Sequence, residues 1–347
     1  MEDTDDKEKI VTVMAILSDK RDLRGIYMNM KYNLSTRKIA IIGAGFVGSS
    51  IAYALALKDI AREIIMIDIQ REKTAGEAMD IRHGIPSMGT ADVRVGDYED
   101  CVDCDLIIIT AGRNRREGET RLDLAKDNIK IVKNVTDSIM QYYNRGVIML
   151  VSNPLDILVQ KVSEWTGLPN GMVFGTGCVL DTSRLISSIA DYVGISTGVI
   201  NGYVVGEHGD SQVPLWSRVT IGGLPIEEYC NNMGLDWNEE IKTRIAEKTI
   251  HMGSEIIKAK GRTHYGIATC VCHIADAIIN QRPTILPVSS PLTGRHGIKG
   301  VALSLPSVVG PMGVTKRIYD EWTEEEWQCF LKSAETVRRI LDSVSED

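Results

Sequence analysis

The amino-acid sequence predicts an α/β protein: a doubly wound parallel (Rossmann-type) sheet domain followed by an α+β domain. Three observations carry this. Apolar runs unbroken by polar positions recur through the first half, at KIAII (38–42), EIIMIDI (63–69), DLIIITAG (105–112) and GVIMLVSNP (146–154). Strands buried on both faces have this composition. Segments of helical period separate them, and that alternation specifies parallel pairing with helices on both faces of the sheet. Beyond about residue 165 the chain turns to alternating segments with more frequent glycine and proline.

The elements follow in order. KIAII is a buried strand, and GAGFVGSSIAYALALKD (43–59) carries glycines into a helix-period run. EIIMIDI is the second strand, followed by helical REKTAGEAMDIRHG (71–84). ADVRVGD (91–97) alternates, DLIIITAG is solidly apolar, and TRLDLAKDNIKIVKNVTDSIMQYY (120–143) is a long amphipathic helix. GVIMLVSNP is the fourth obvious parallel strand. In the second half VINGYVVGEHGD (199–210), SRVTIGGLPIEEY (217–229) and GVALSLPSVVG (300–310) read as alternating strands, and Cys270 and Cys272 as helix core. The last helix opens at a capping box of Thr323 and Glu326. Trp327, Phe330, Leu331, Ala334, Val337 and Leu341 mark its apolar face. The expected divisions are an N-terminal extension at 1–36, a first domain at 37–165 and a second at 166–347.

The extension begins MEDTDDKEKIVTVMAIL, whose acidic leader and short apolar run have the wrong charge and length for a secretory signal. It reads as an arm against a neighbouring subunit, a solvated tail, or the product of an upstream start codon, with Met28 or Met30 as the true start.

Composition narrows the function. The 347 residues are 44% hydrophobic and 25% charged, with a net charge of −8. An acidic chain without a basic block is a poor partner for nucleic acid or an anionic membrane surface. No stretch approaches the ~20 apolar residues of a membrane span. Seven cysteines form an odd set that suits a reducing cytoplasm better than a disulfide framework. Cys101 and Cys104 make a C-x-x-C, but Glu99, Asp100, Asp103 and Asp105 crowd it with negative charge that disfavours the thiolate. No second C-x-x-C completes a zinc site, so no metal is expected.

Gly43-Ala44-Gly45-Phe46-Val47-Gly48 is a G-x-G-x-x-G that follows a buried strand and opens a helix. Asp68 ends the next strand, 20 residues beyond Gly48, the spacing of an acid that binds the adenosine ribose. The glycines permit a tight turn and let backbone N–H groups approach a diphosphate at the helix N-terminus. An aspartate there repels a 2′-phosphate, so NAD is favoured over NADP. FAD binding and methyl transfer use similar loops and stay open at this point.

GEHGD (206–210) sets His208 between glycines, and VLDTSRL (179–185) places Asp181 and Arg184 three apart on one face of a starting helix. Separately these are a turn histidine and a helix-surface ion pair. Together they have a chemical logic. Hydride exchange at a carbinol carbon needs a group that moves the hydroxyl proton, and a carboxylate-held histidine does so near neutral pH. A substrate carboxylate calls for a planar, bidentate arginine. A second cation arriving on a mobile loop polarises the carbonyl and excludes water.

With GAGFVGSS, IDI, ITAGRN, GETRLDL, VSNPLDI, GTGCVLDTSRL, GEHGDSQVPLWS and THYGIA in order, residues 38–345 resemble the L-lactate/malate dehydrogenase family. The resemblance implies an NAD-dependent L-2-hydroxyacid dehydrogenase acting on a small 2-oxo or 2-hydroxy acid, as a homotetramer or homodimer. It makes His208 the acid/base, Asp181 its partner, and Arg184 the clamp on the substrate carboxylate. Arg121, on a closing loop, polarises the carbonyl. Asn153 helps hold substrate and cofactor, with a cis bond expected at Asn153–Pro154. Gly43, Gly45, Gly48 and Asp68 hold NAD.

Arg115 occupies the loop position that faces the substituent on the substrate's third carbon. Lactate-specific members carry glutamine there and malate-specific members arginine, so Arg115 favours oxaloacetate and L-malate. Thr263 in RTHYGIA matches the lactate-type pocket wall, which makes pyruvate and L-lactate the alternative. Arg113 and Arg116, in the same loop, are expected in solvent. A non-catalytic NAD-binding protein would have been free to lose one of the four polar groups. A glycosidase with resident NAD would need a metal-ligand set that this sequence lacks.

Overall fold

The structure, a computed structural model, describes residues 36–87, 89–113, 121–319 and 321–345. The extension, apart from Thr36, and Arg115 and Arg116 lie outside them. The body of the chain is organised on a sheet whose strands are β1 (Lys38–Ile42), β2 (Glu63–Ile67), β3 (Asp92–Val95), β4 (Leu106–Ile109), β5 (Val147–Leu150) and β6 (Val173–Gly175). All pair in parallel in the order β3-β2-β1-β4-β5-β6. β1, β2, β4 and β5 correspond to the four apolar runs, and their residues are almost wholly buried.

Helices α1 (Phe46–Leu57), α2 (Arg71–Gly84), α3 (Arg121–Met140) and α4 (Leu155–Thr166) make the crossovers. The strand order reverses between β1 and β4. In open α/β sheets that reversal opens a crevice beyond the carboxyl ends of the strands, where ligands bind. The glycine loop, Asp68, Thr110–Gly112 and Asn153 all lie at that edge.

The sheet does not stop at the parallel set. After α5 (Val179–Val193) the chain forms β7 (Ile200–Asn201), β8 (Val204–Val205), β9 (Val213–Pro214), β10 (Thr220–Ile221) and β11 (Leu224–Pro225) in two small antiparallel sheets. Helices α6 (Ile226–Met233), α7 (Glu239–Lys260) and α8 (Tyr265–Ile279) follow. Then β12 (Thr284–Thr293), β13 (Lys299–Gly310) and β14 (Gly313–Arg317) add antiparallel strands beside β6, giving nine in all. Only four of the thirteen residues of SRVTIGGLPIEEY are therefore strand. Pro225 ends β11 and caps α6, whose first turn carries Glu227 and Glu228, acids that favour a helix N-terminus.

The last helix, α9 (Glu324–Ser345), is capped as expected. Glu326 N–H donates to Thr323 Oγ1 at 3.2 Å, and Thr323 N–H to Glu326 Oε2 at 3.0 Å. Phe330, Ala334, Val337 and Leu341 pack into a core with Val205, Leu303 and Leu305. Among the described residues no helix is long and apolar enough to cross a membrane. All seven cysteines are free thiols. Cys101 is buried, and burial first and Asp100 second push its thiol up to about 12. Burial therefore disfavours the Cys101 thiolate more strongly than the acidic neighbours do.

Candidate active site

The glycine loop is fixed by sterics on the strand side. Gly43 sits at φ +107°, a conformation that disfavours any side chain. A Cβ at Gly48 would lie 1.8 Å from the Gly43 carbonyl oxygen, so α1 could not approach β1. Gly45 differs: a Cβ there would meet nothing within 4 Å. What its missing side chain leaves open is the space in front of α1, whose first turn has no acid and no side-chain cap. Orphan N–H groups facing open space are the donor set a dinucleotide diphosphate requires, so the residues fit NAD.

Asp68 lies beside the loop. Its Oδ2 accepts the Ala44 N–H at 2.7 Å and its Oδ1 the Gln70 N–H at 2.8 Å. A carboxylate has further lone pairs for a ribose hydroxyl. Gly48→Ala is expected to displace the loop and weaken NADH binding at least ~10-fold, about 1.4 kcal/mol. Fluorescence titration with NADH measures this, and unchanged affinity would refute the steric reading.

The second cluster assembles from three elements. Asp181 and Arg184 lie in the first turns of α5, and Arg184 Nη1 donates to Asp181 Oδ1 at 2.7 Å. His208 follows β8 and brings Nδ1 to 2.6 Å from Asp181 Oδ2. One buried carboxylate thus joins the imidazole and the guanidinium, correcting the surface ion pair that spacing alone suggested: the Asp181 side chain is 3% exposed and that of Arg184 14%. Burial would raise the Asp181 carboxyl, but His208 and Arg184 hold it below the usual carboxylate range. Burial would also strip the proton from His208, yet the Asp181 carboxylate outweighs it and lifts the imidazole well above its ordinary value. Across α7, Gly253 leaves room for Arg184: a Cβ there would come within 3.3 Å of Nη2.

His208 and Asn153 line a cavity of about 560 Å³ with Leu124, Ala125, Glu207 and, from α9, Arg339 and Ile340. The Asn153–Pro154 bond is cis. Arg121 opens α3, and its side chain lies outside the described part. Thr263 is half-buried in the short loop between α7 and α8 and is not among the residues lining this cavity. Arg113 departs from expectation. Its guanidinium grips Asp127 of α3 through Nε at 2.9 Å and Nη2 at 2.8 Å, and it is 19% exposed rather than solvated.

Sequence reasoning missed several supporting residues. Asn128, buried in α3, donates to the Asn153 carbonyl at 2.6 Å and accepts the Arg113 N–H at 2.9 Å, tying the start of the loop to the Asn153 turn. Asp156 and Ser333 hold the backbone around His208. A polar residue inside an otherwise apolar helix face was the only available signal, as in LDILVQ of α4.

A dinucleotide cradle at the switch point, next to a histidine–carboxylate–arginine cluster, defines an NAD-dependent oxidoreductase acting on CH–OH groups. The comparisons with known proteins agree. The family description "lactate/malate dehydrogenase, NAD binding domain" matches residues 37–175, and "lactate/malate dehydrogenase, alpha/beta C-terminal domain" matches residues 178–347. The L-lactate dehydrogenase of Thermoanaerobacter sp. (strain X514) is 41% identical over 307 residues, 88% of this chain and 99% of that protein. The L-lactate dehydrogenase of Acetivibrio thermocellus is 38% identical over 315 residues, 91% of this chain and 99% of that protein.

Among solved structures, MGS-M5, a lactate dehydrogenase enzyme from a Medee basin deep-sea metagenome library, superposes with a TM-score of 0.86 at 36% identity. It covers 90% of this chain and 100% of its own. The minor L-lactate dehydrogenase of Enterococcus mundtii in its ligand-bound form gives 0.85 at 39% identity, covering 89% and 98%. This chain belongs to the lactate/malate dehydrogenase family. It is an NAD-dependent oxidoreductase.

Proposed function

We propose that the protein catalyses reversible hydride transfer between NADH and a short 2-oxo acid, with pyruvate and L-lactate as the substrate pair. The observation that carries the reaction is the shared carboxylate: Asp181 Oδ2 lies 2.6 Å from His208 Nδ1 and its Oδ1 2.7 Å from Arg184 Nη1. Bound NADH supplies the hydride from its nicotinamide. Asp181 holds the imidazole by Nδ1, which leaves Nε2 to give a proton to the carbonyl oxygen in reduction and take it back in oxidation. Because the same carboxylate raises the His208 pKa, the imidazole carries that proton at neutral pH. Arg184 spends one nitrogen on Asp181 and keeps donors for a substrate carboxylate. Asn153, Arg121 and Thr263 complete this reading as substrate contacts, and Gly43, Gly45, Gly48 and Asp68 as the dinucleotide contacts.

The choice of pyruvate rests on the relatives, which carry the name L-lactate dehydrogenase over nearly their whole length. A second reading, oxaloacetate and L-malate, is favoured by Arg115, whose charge complements a second carboxylate. The test is kcat/KM for NADH oxidation with pyruvate and oxaloacetate side by side. A pyruvate preference of tenfold or more supports the first reading, and the reverse preference replaces it with the second. A homo-oligomer is part of the proposal, supported by the exposed apolar side chains Met79, Ile256 and Ile257 on α2 and α7.

A further inference from the structure

The turn that carries His208 is held one peptide at a time. Gly206, at φ +88°, exchanges backbone bonds with Ser304 of β13 at 3.0 and 2.9 Å. The Glu207 N–H donates to Ser333 Oγ of α9 at 2.7 Å. The His208 N–H donates to Asp156 Oδ2 of α4 at 2.7 Å. Three successive N–H groups are thus fixed by three different elements, and the last fixture is a carboxylate.

Asp156 is an unusual choice for a mere anchor. It is 3% exposed, and its Oδ1 is taken by the Ser289 hydroxyl of β12 at 2.5 Å. A neutral side chain would accept an N–H as well, and a buried charge is costly unless compensated. No lysine or arginine makes an ion pair with it among the described residues. The groups that face His208 and Asp156 are Asp181 and Arg184 of α5, Glu207 on the turn itself and the buried Cys178 thiol. Arg339 of α9 lines the same cavity. Of these, His208 is the cation whose charge eases that of Asp156, and Glu207 opposes it.

We propose that Asp156 is a positioning residue for the reaction: its carboxylate fixes the main chain of His208 while that of Asp181 fixes the ring. This rests on His208 being the proton donor of the proposed function. Burial pushes the Asp156 carboxyl up to about 6, with Ser289 and the His208 N–H working against that rise, so it is charged at neutral pH. Its charge then adds to that of Asp181 in favouring the protonated imidazole. Carbonyl reduction needs that proton, so its rate falls as pH rises through the His208 pKa. Removing the Asp156 charge lowers that pKa and moves the fall to lower pH.

The experiment is Asp156→Asn and Asp156→Ala in the full chain, with kcat and KM for 2-oxo acid reduction followed from pH 6 to 10. Asparagine keeps an acceptor for the His208 N–H but no charge. It is expected to shift the alkaline limb of kcat/KM down by about one pH unit and to retain most of kcat at pH 6. Alanine loses the acceptor too, and kcat is expected to fall at least tenfold at every pH with NADH affinity unchanged. If Asp156→Asn leaves the limb in place, or if both variants lose NADH binding together, Asp156 is only structural and the proposal fails. Absence of turnover of any 2-oxo acid by the unmodified chain would instead fault the functional reading on which it rests.

Discussion

Replacing His208 with asparagine is expected to lower kcat for NADH-dependent 2-oxo acid reduction by ~10³-fold or more while NADH binds as before. Positioned general acid–base groups contribute ~10²–10⁴-fold, and among the described residues that line the cavity His208 is the one imidazole. The two effects separate because the dinucleotide contacts arise elsewhere, from the glycine loop after β1 and from Asp68 after β2. Asp181→Asn tests the same unit from the other side. An amide at that position can present its NH₂ to Nδ1, which turns the imidazole into the wrong tautomer and leaves the Arg184 guanidinium without its counter-charge. A loss of similar size is expected, with KM for the 2-oxo acid raised as well because Arg184 loses its support. Single-turnover kinetics and an NADH titration decide the matter. Full turnover by His208→Asn would remove the mechanism, and lost NADH binding would show that the change is structural.

Much of this site was legible because its chemistry is concentrated in short motifs. The i, i+3 spacing of Asp181 and Arg184 required them to share a helix face, and the glycine loop with its acid at 20 residues marked the sheet edge and favoured NAD, while the wider set of motifs set FAD and methyl transfer aside. Burial was not legible. Nothing in VLDTSRL distinguishes a solvated ion pair from a buried one; that depends on α7 presenting Gly253 to Arg184, some 70 residues away in sequence. Arg113 differs from expectation for the same reason, since its partner Asp127 lies nearly two helical turns into α3. Asp156 and Ser289 meet across 133 residues, and only the parallel order β5-β6 with β12 alongside brings them together. The sequence reports local chemistry well, and the sheet topology decides which local pieces become one site.

Exchanging Arg115 for glutamine is expected to move the ratio of kcat/KM for pyruvate over oxaloacetate toward pyruvate by ~10²-fold or more. The size follows from two opposed desolvation effects. An arginine closed over the methyl group of pyruvate is a charge taken out of water with no partner, which costs ~3–5 kcal/mol. At about 1.36 kcal/mol per factor of ten, that penalty alone spans roughly two to four orders of magnitude. On the malate reading the same guanidinium would pair with the second carboxylate of oxaloacetate by bidentate, charge-assisted bonds that glutamine cannot make. The local sequence offers Arg115 another course, because Glu117 and Glu119 lie two and four residues beyond it. Paired with either, it could enter a closed site over pyruvate without a bare charge. Steady-state kinetics of both substrates with Arg115→Gln, and with Glu117→Gln and Glu119→Gln as controls, distinguish these cases. A ratio unmoved by Arg115→Gln would remove Arg115 as the discriminator and leave substrate choice to other residues. A large shift would make one loop residue the discriminator on a scaffold whose relatives are lactate dehydrogenases.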